Sequence, residues 1–151
     1  MKLELKNLKV HADMSQETNC FSATLYANAK LAGSVSNSGH GGSHRYQWDD
    51  VELGRKIDSW AESQPMEFEF EKLDQLVDRL ILQEGTKKEL KRKTKKTTWF
   101  RLKGDPKREF RTVAAPYDAR VQEYLDKKYP GQVECIVNAD LERGVEFAIA
   151  E

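Results

Sequence analysis

The sequence is poor in several features that would assign it to a functional class at once. It has only two cysteines, Cys20 and Cys135, and their separation matches no metal-binding or redox motif, so we expect both to be reduced and buried. No apolar run approaches the ~18 residues that a membrane-spanning helix needs, so no membrane partner is expected. The first ten residues alternate between polar and apolar and lack the continuous apolar stretch of a secretory signal. A cytoplasmic location is therefore expected.

Net charge is also absent, because 25 basic residues balance 25 acidic residues in a chain of 151. This balance argues against a uniformly basic protein that coats nucleic acid. The charges are nevertheless segregated, since residues 49–78 carry a net charge of −7 and residues 87–111 carry +9. Such blocks create local potentials of both signs, so an anion-binding surface is compatible with the neutral total.

Motifs of the common enzyme classes are missing too. The glycines at 39–42 match neither GxxxxGK[ST] nor GxGxxG, and no serine stands in a nucleophile elbow. The chain is therefore predicted to be non-catalytic. The alternative is a hydrolase in which His40 and His44 act as acid and base beside a serine of the same loop.

The first third of the sequence has the pattern of β-strands. Apolar and polar residues alternate over 3–10, 21–28 and 31–35, which predicts a three-stranded meander with a bulge near Asn7. Residues 36–45 contain three glycines and three serines and are predicted to be a loop.

Two helices are predicted after this loop. The first is capped by Asp49 or Asp50, and the second begins near Glu69 and has an apolar stripe at helical spacing. The basic residues that follow are expected to continue the second helix, with Gly85 as a cap or an interruption. The stripe consists of Phe70, Leu73, Leu76, Val77, Leu80 and Ile81.

The remainder of the sequence returns to short strands. Residues 98–103 and 110–113 are predicted to pair, Asp118 caps a short helix, and residues 133–137 and 145–149 form the last two strands. The chain is therefore expected to form an α+β fold.

The expected architecture is a single α+β domain over residues 1–151. In it, the N-terminal meander and the C-terminal strands share one antiparallel sheet, and two or three helices pack on one face. The basic segment 85–97 is expected to be helical and to protrude.

The glycine-rich loop is the first candidate binding site. Glycines allow the backbone to approach a ligand and to turn its N–H groups inward, as an anion nest requires. The alternative is a plain connection between a strand and a helix. The predicted ligand-binding residues are Gly39, His40, Gly41, Gly42, Ser43, His44 and Arg45.

The histidines of this loop raise the question of a metal site. Such a site needs three or four convergent ligands, and sequence alone does not bring them together. No metal and no cofactor are therefore predicted. The residues that would be needed beside the loop histidines are His11, Asp13, Asp49 and Asp50.

The basic tract is the second candidate site. Residues 87–96 hold seven basic groups and one glutamate, and aromatic residues follow directly. Basic groups hold phosphates and aromatic rings stack on bases, which favours nucleic acid or a nucleotide as ligand. The alternatives are a solvated helix end and a docking surface for an acidic protein. The predicted basic patch is Lys88, Lys91, Arg92, Lys95, Lys96, Trp99 and Arg101.

These features predict a non-enzymatic binding protein for an anionic partner, either a nucleotide-like molecule or nucleic acid. The alternative is a protein–protein interaction module or a homo-oligomer, held by the complementary acidic and basic blocks. Exposed ion pairs contribute only ~0–1 kcal/mol each, so such blocks would select orientation more than they would hold a fold.

Two parts of the sequence form a pattern that is found elsewhere. The N-terminal part lies in residues 14–23, Gly33, Asn37 and 39–42. The C-terminal part lies in residues 100–104, 115–117 and 121–125. With these residues the chain resembles uncharacterised small proteins encoded by phages and by bacterial mobile elements. The resemblance implies a small accessory protein that acts by binding, for example as an inhibitor of a host system, and it carries no catalytic residues.

Overall fold

The computed structural model describes residues 1–151, which divide into two compact units. Unit 1 is Met1–Ile81 and unit 2 is Leu82–Glu151. The predicted α+β class is confirmed, with four α-helices and two antiparallel sheets of four and three strands. The N-terminal and C-terminal strands thus lie in separate sheets, where one shared sheet was expected. That the chain forms one domain stays a prediction.

Seven strands and four α-helices make up the two units. They are β1 (Leu3–Val10), β2 (Cys20–Ala27), β3 (Lys30–Ser38), β4 (Arg45–Trp48), α1 (Val51–Glu62), α2 (Lys72–Lys93), β5 (Thr98–Leu102), β6 (Arg111–Val113), α3 (Ala119–Lys128), β7 (Val133–Ile136) and α4 (Leu141–Ala148). None of these helices combines the length and the apolar character needed to cross a membrane.

The sheet of unit 1 is an antiparallel meander in the order β1-β2-β3-β4. Its predicted bulge is confirmed, since the β1–β2 register shifts between Lys6 and Lys9, and Asn7 between them has a φ of 53°. Asn28 and Ala29 form the β2–β3 turn with φ values of 49° and 65°. Two positive φ values in a two-residue turn match the right-handed twist of the flanking strands.

Strand β4 begins at Arg45, the last residue of the predicted loop, and continues through residues 46–48, where no strand was predicted. Because residues 36–45 are rich in glycine, their composition did not indicate that the last residues of β3 and the first residue of β4 are strand residues. The absence of a side chain at Gly33 allows β4 to lie close, because a Cβ there would stand 2.1 Å from the carbonyl oxygen of Gln47. The glycine-rich loop therefore joins two paired strands, and not a strand and a helix.

The core of unit 1 lies between one face of the sheet and the helices. Helix α1 begins as predicted, with Asp50 accepting a hydrogen bond from the Leu53 N–H at 3.0 Å. The assignment of Phe70 to the apolar stripe of the second helix is corrected, because Phe70 precedes α2 and its side chain is exposed. The buried core residues include Leu3, Leu5, Phe21, Leu25, Val35, Ile57, Leu73, Val77 and Ile81.

Unit 2 contains the sheet β6-β5-β7 and two apolar clusters. One cluster surrounds Phe100 and Leu125, and the other contains Leu90, Cys135 and Val145. Both cysteines of the chain are free and buried, as predicted. The basic segment predicted at 85–97 is helical as far as the end of α2, and Leu90 anchors it in the second cluster.

The strand predicted at residues 145–149 is wrong, because this stretch belongs to helix α4. Its alternating apolar residues resemble a strand when they are taken alone. Leu141, Val145 and Ala148, however, follow helical spacing and pack in one cluster. Asp140 caps the helix by accepting from the Arg143 N–H at 3.2 Å.

Candidate functional site

The glycine-rich loop spans the tip of the β3–β4 hairpin in unit 1. Gly39, Gly41 and Gly42 have φ values of 86°, 92° and 82°, a conformation that glycine adopts at no steric cost. The side chain of His40 is exposed and lies 3.3 Å from Gln16, measured from Nδ1 to Oε1. The turn itself therefore accounts for the glycines.

Three backbone N–H groups of this loop are already paired within unit 1. The Gly39 N–H donates to Asn37 Oδ1 at 2.8 Å, and the Gly41 N–H donates to Thr18 Oγ1 at 3.3 Å. The His44 N–H donates to Asp74 Oδ2 at 2.8 Å. An anion nest needs such groups turned toward an open site. These three N–H groups are therefore not turned toward an open site, and anion binding by the loop stays a prediction.

The side chain of buried Asn37 fixes the conformation of the loop through hydrogen bonds to its backbone. Its Oδ1 accepts from the Gly39 N–H, and its Nδ2 donates to the Gly42 carbonyl at 3.1 Å, so two backbone groups fix the orientation of the amide. The same Nδ2 lies 3.1 Å from His44 Nδ1. Because Nδ2 is a donor, Nδ1 must accept, and the proton of the neutral imidazole lies on Nε2.

His44 is held on both sides of its ring. Its Nε2–H donates to Asp78 Oδ1 at 2.8 Å, and only 4% of the side chain is exposed. The ring stands edge-on to Phe21 with a centroid distance of 4.9 Å. The neighbouring Ser43 hydroxyl donates to Glu71 and not to a histidine. This arrangement fixes the loop and supplies no serine–histidine pair of the kind that a hydrolase needs.

Two aspartates of α2 attach this hairpin to the helix. Asp74 accepts from the His44 N–H and also from the Tyr46 hydroxyl at 2.6 Å, and Asp78 lies one turn further on. Burial, together with the hydrogen bond to Asp74, raises the pKa of Tyr46 above its usual value, so the phenol stays protonated and donates.

A cleft of about 610 Å³ opens beside the loop, within unit 1. Four carboxylates line it and no lysine or arginine does. Two of these carboxylates belong to Asp74 and Asp78, which also hold the hairpin, so the same side chains line the cleft and fix the loop. The acidic lining residues are Glu17, Glu71, Asp74 and Asp78.

Two exposed phenylalanines complete the cleft. Phe68 and Phe70 are 49% and 64% exposed, with ring centroids 5.6 Å apart. Gln75 fixes their backbone, because its Nε2 donates to the Phe68 and Phe70 carbonyls at 2.9 and 2.8 Å. The rings are therefore presented to solvent by a segment that a side chain of α2 holds in place.

Sequence reasoning missed this aromatic pair. Residues 67–71 alternate glutamate and phenylalanine directly after a proline-bounded turn, and this pattern was the available signal. It was instead assigned to the start of a helix. Glu71, the last residue before α2, has a φ of 49°, which is uncommon for a residue other than glycine and is the kind of local strain that clusters at binding sites.

The predicted basic patch is assembled only in part, in unit 2. Trp99 is half-buried, with its ring 6.0 Å from that of Phe110 and the amine of Lys93 5.0 Å above it. It therefore packs against its own unit and offers little face for stacking on a base. The patch residues that are exposed are Lys88, Lys91, Arg92, Lys95 and Lys96.

The assignment of Arg101 to the patch is corrected by its burial, since only 5% of the residue is exposed. Its guanidinium donates to Glu134 Oε2 at 2.9 Å and to the carbonyl of Asp105 at 2.9 Å. It also donates to the carbonyls of Pro106 and Glu109 at 3.2 and 3.3 Å. These contacts use its donors to hold the turn after β5, so Arg101 is structural.

No three histidine, cysteine, aspartate or glutamate side chains meet in an arrangement that could hold a metal ion. The candidate set that sequence offered around the loop histidines is therefore not assembled. Its members outside the loop are His11, Asp13, Asp49 and Asp50.

Comparison with family models, curated protein sequences and solved structures found no match to the chain. The geometry of the two units is therefore the basis for a functional assignment.

Proposed function

We propose that the cleft of unit 1 binds a cationic peptide segment of a protein partner. The chain would then be a non-enzymatic interaction module. This proposal rests on one observation, the composition of the cleft lining. Four carboxylates and two exposed phenylalanines line the cleft, and no lysine or arginine does.

The lining is complementary to lysine and arginine side chains in two ways. Their aliphatic stems can cover the exposed rings of Phe68 and Phe70 while their charges reach the carboxylates. A cation over an aromatic face gains about 0.5–1 kcal/mol at an exposed site, and each exposed ion pair adds ~0.2–1 kcal/mol. Several small terms of this size give a reversible interaction that weakens as salt screens the charges.

An anionic ligand suits this cleft less well. Phosphates would face like charges from Glu71 and Asp78, and the backbone N–H groups of Gly39, Gly41 and His44 already have acceptors within the protein. A nucleotide or nucleic-acid ligand remains a prediction from the sequence. The resemblance to small phage-encoded proteins, which implies action by binding, is compatible with docking on a host protein.

Replacing both Phe68 and Phe70 by serine is expected to weaken the binding of a lysine- and arginine-containing peptide about 5–30-fold. This range corresponds to the loss of two cation–aromatic contacts of about 0.5–1 kcal/mol each. Fluorescence anisotropy of a labelled peptide, titrated with the wild-type protein and with the double variant, measures the change.

The matched control is Leu31→Ser, because Leu31 is also an exposed apolar residue of unit 1, 42% exposed, and does not line the cleft. It should leave the affinity unchanged. A peptide in which glutamate replaces every cation should not bind. Equal binding of both peptides, or an unchanged affinity in the phenylalanine variant, would contradict the proposal.

A further inference from the structure

We infer that the cationic segment that occupies this cleft is the basic tract, residues 87–96, of a second copy of the chain. The inference rests on the proposed function and names its partner. Each copy would contribute an acidic cleft from unit 1 and a basic tract from unit 2, so the binding site is completed only between molecules.

The basic tract carries an exposed set of cations on one side of a helix. Lys88, Lys91 and Arg92 stand at i, i+3 and i+4 in α2, a spacing that places side chains on one helical face. Leu90 points the other way and is buried against Cys135 of the same unit. The cations are therefore held away from the core of unit 2 and toward solvent.

These cations have no intramolecular carboxylate partner. The one ion pair formed by residues of the tract joins Lys93 to Glu89. The exposed cations that form no ion pair and no hydrogen bond to a side chain are Lys88, Lys91, Arg92, Lys95 and Lys96. A surface of this kind attracts a counter-charged surface and is costly to bury against a neutral one.

The carboxylates of the cleft, in turn, lack lysine and arginine partners within the chain. None of these four carboxylates pairs with a lysine or an arginine, although other carboxylates of unit 1 do, such as Asp50 with Lys30 and Glu69 with Lys72. The side chain of Asp78 remains 54% exposed while it holds His44. Each chain therefore supplies one acidic cleft and one basic tract, and these two surfaces are complementary in charge.

The mode of contact follows from the shapes involved. A helix that presents cations at i, i+3 and i+4 to a groove is a common form of peptide recognition. Here the groove adds two exposed aromatic rings, which can cover the lysine stems. Because the contact joins two different surfaces, it either closes into a ring of copies or continues as a chain.

A charge exchange tests the inference. One variant carries Glu17→Lys and Glu71→Lys in the cleft, and the other carries Lys88→Glu and Arg92→Glu in the tract. Each variant alone would present surfaces of like charge and should sediment as a monomer where the wild type associates. Mixed in equal amounts, the two should associate again, because the reversed cleft meets the reversed tract and the native cleft meets the native tract.

Sedimentation velocity at several protein concentrations is the measurement. For the wild type, the association should weaken between low and high salt, as the Debye length falls from ~30 Å at 0.01 M to ~3 Å at 1 M ionic strength. Circular dichroism of each variant verifies that it is folded. A wild type that is monomeric at every concentration, or variants that associate as the wild type does, would overturn the inference.

A peptide titration separates this inference from the proposed function. A synthetic peptide of residues 86–97 is added to the Lys88→Glu/Arg92→Glu variant, whose cleft is unchanged. If the peptide binds but the wild-type protein does not self-associate, the cleft function stands and the second-copy partner is wrong. If neither this peptide nor other cationic peptides bind, the proposed function fails as well.

Discussion

Replacement of Arg101 by methionine is expected to lower the free energy of unfolding of unit 2 by about 3–5 kcal/mol. The substitution removes a buried guanidinium that donates to Glu134 and to three carbonyl groups of the turn after β5. Methionine fills part of the volume but donates no hydrogen bond. A partly buried carboxylate and three carbonyls would lose their partner together, which is why the effect should be large.

Chemical denaturation followed by tryptophan fluorescence measures this loss, because Trp99 lies two residues before Arg101 in the same strand. The matched control is Lys103→Met, which removes an exposed cation close by in sequence and should shift stability by less than ~0.5 kcal/mol. If the Arg101 variant unfolded at the denaturant concentration of the control, Arg101 would not be the structural residue described above.

Replacement of Asn37 by alanine is expected to destabilise unit 1 by about 2–3 kcal/mol, because a buried group left without its partner costs ~1–3 kcal/mol. The Gly39 N–H would lose its acceptor, and the Gly42 carbonyl and His44 Nδ1 would lose their donor. The loop would then be free to change conformation, so cationic peptides should also bind more weakly.

Thermal unfolding and the peptide titration together test this expectation. The control is Ser38→Ala, which truncates an exposed side chain next to Asn37 in the same strand. Nitrogen-15 NMR of the imidazole gives a second measurement, since the wild-type His44 should carry its proton on Nε2. A proton on Nδ1 in the wild type, or an Asn37 variant as stable as the control, would contradict the assigned role of the amide.

The parts of the fold that local patterns determine were predicted from the sequence. Alternation identified β1, β2 and β3, and a positive φ at Asn7 explains why the bulge lies where the alternation breaks. Asp50, Asp118 and Asp140 cap α1, α3 and α4. The sequence predicted Asp118 for α3 and either Asp49 or Asp50 for α1, because a cap needs only its own helix end.

Errors arose where one pattern fits two structures. Residues 145–149 alternate as in a strand, but the spacing from Leu141 and the Asp140 cap select a helix. Residues 36–45 have loop composition, yet pairing with neighbouring strands extends the sheet into both ends of this stretch. Phe70 continues an apolar stripe in sequence, but α2 begins two residues after it.

The candidate site could be predicted only in part, because its residues meet through the fold. The glycine-rich loop was identified by composition, whereas the carboxylates that hold it, Asp74 and Asp78, lie about thirty residues further along the chain. No sequence pattern indicated that the N–H groups of Gly39, Gly41 and His44 would be paired. Arg101 stands in a basic stretch and has the composition of a surface patch, but its burial follows from the sheet register that places it opposite Cys135.

The most direct test of the proposed cleft is to map a bound cationic peptide on the isotopically labelled protein by NMR. Amide signals of Gly42, His44, Phe68, Phe70 and Gln75 are expected to shift as the peptide of residues 86–97 is added, and these shifts should diminish in high salt. Shifts confined to residues of unit 2, or shifts in unit 1 that leave these five amides unchanged, would contradict this expectation.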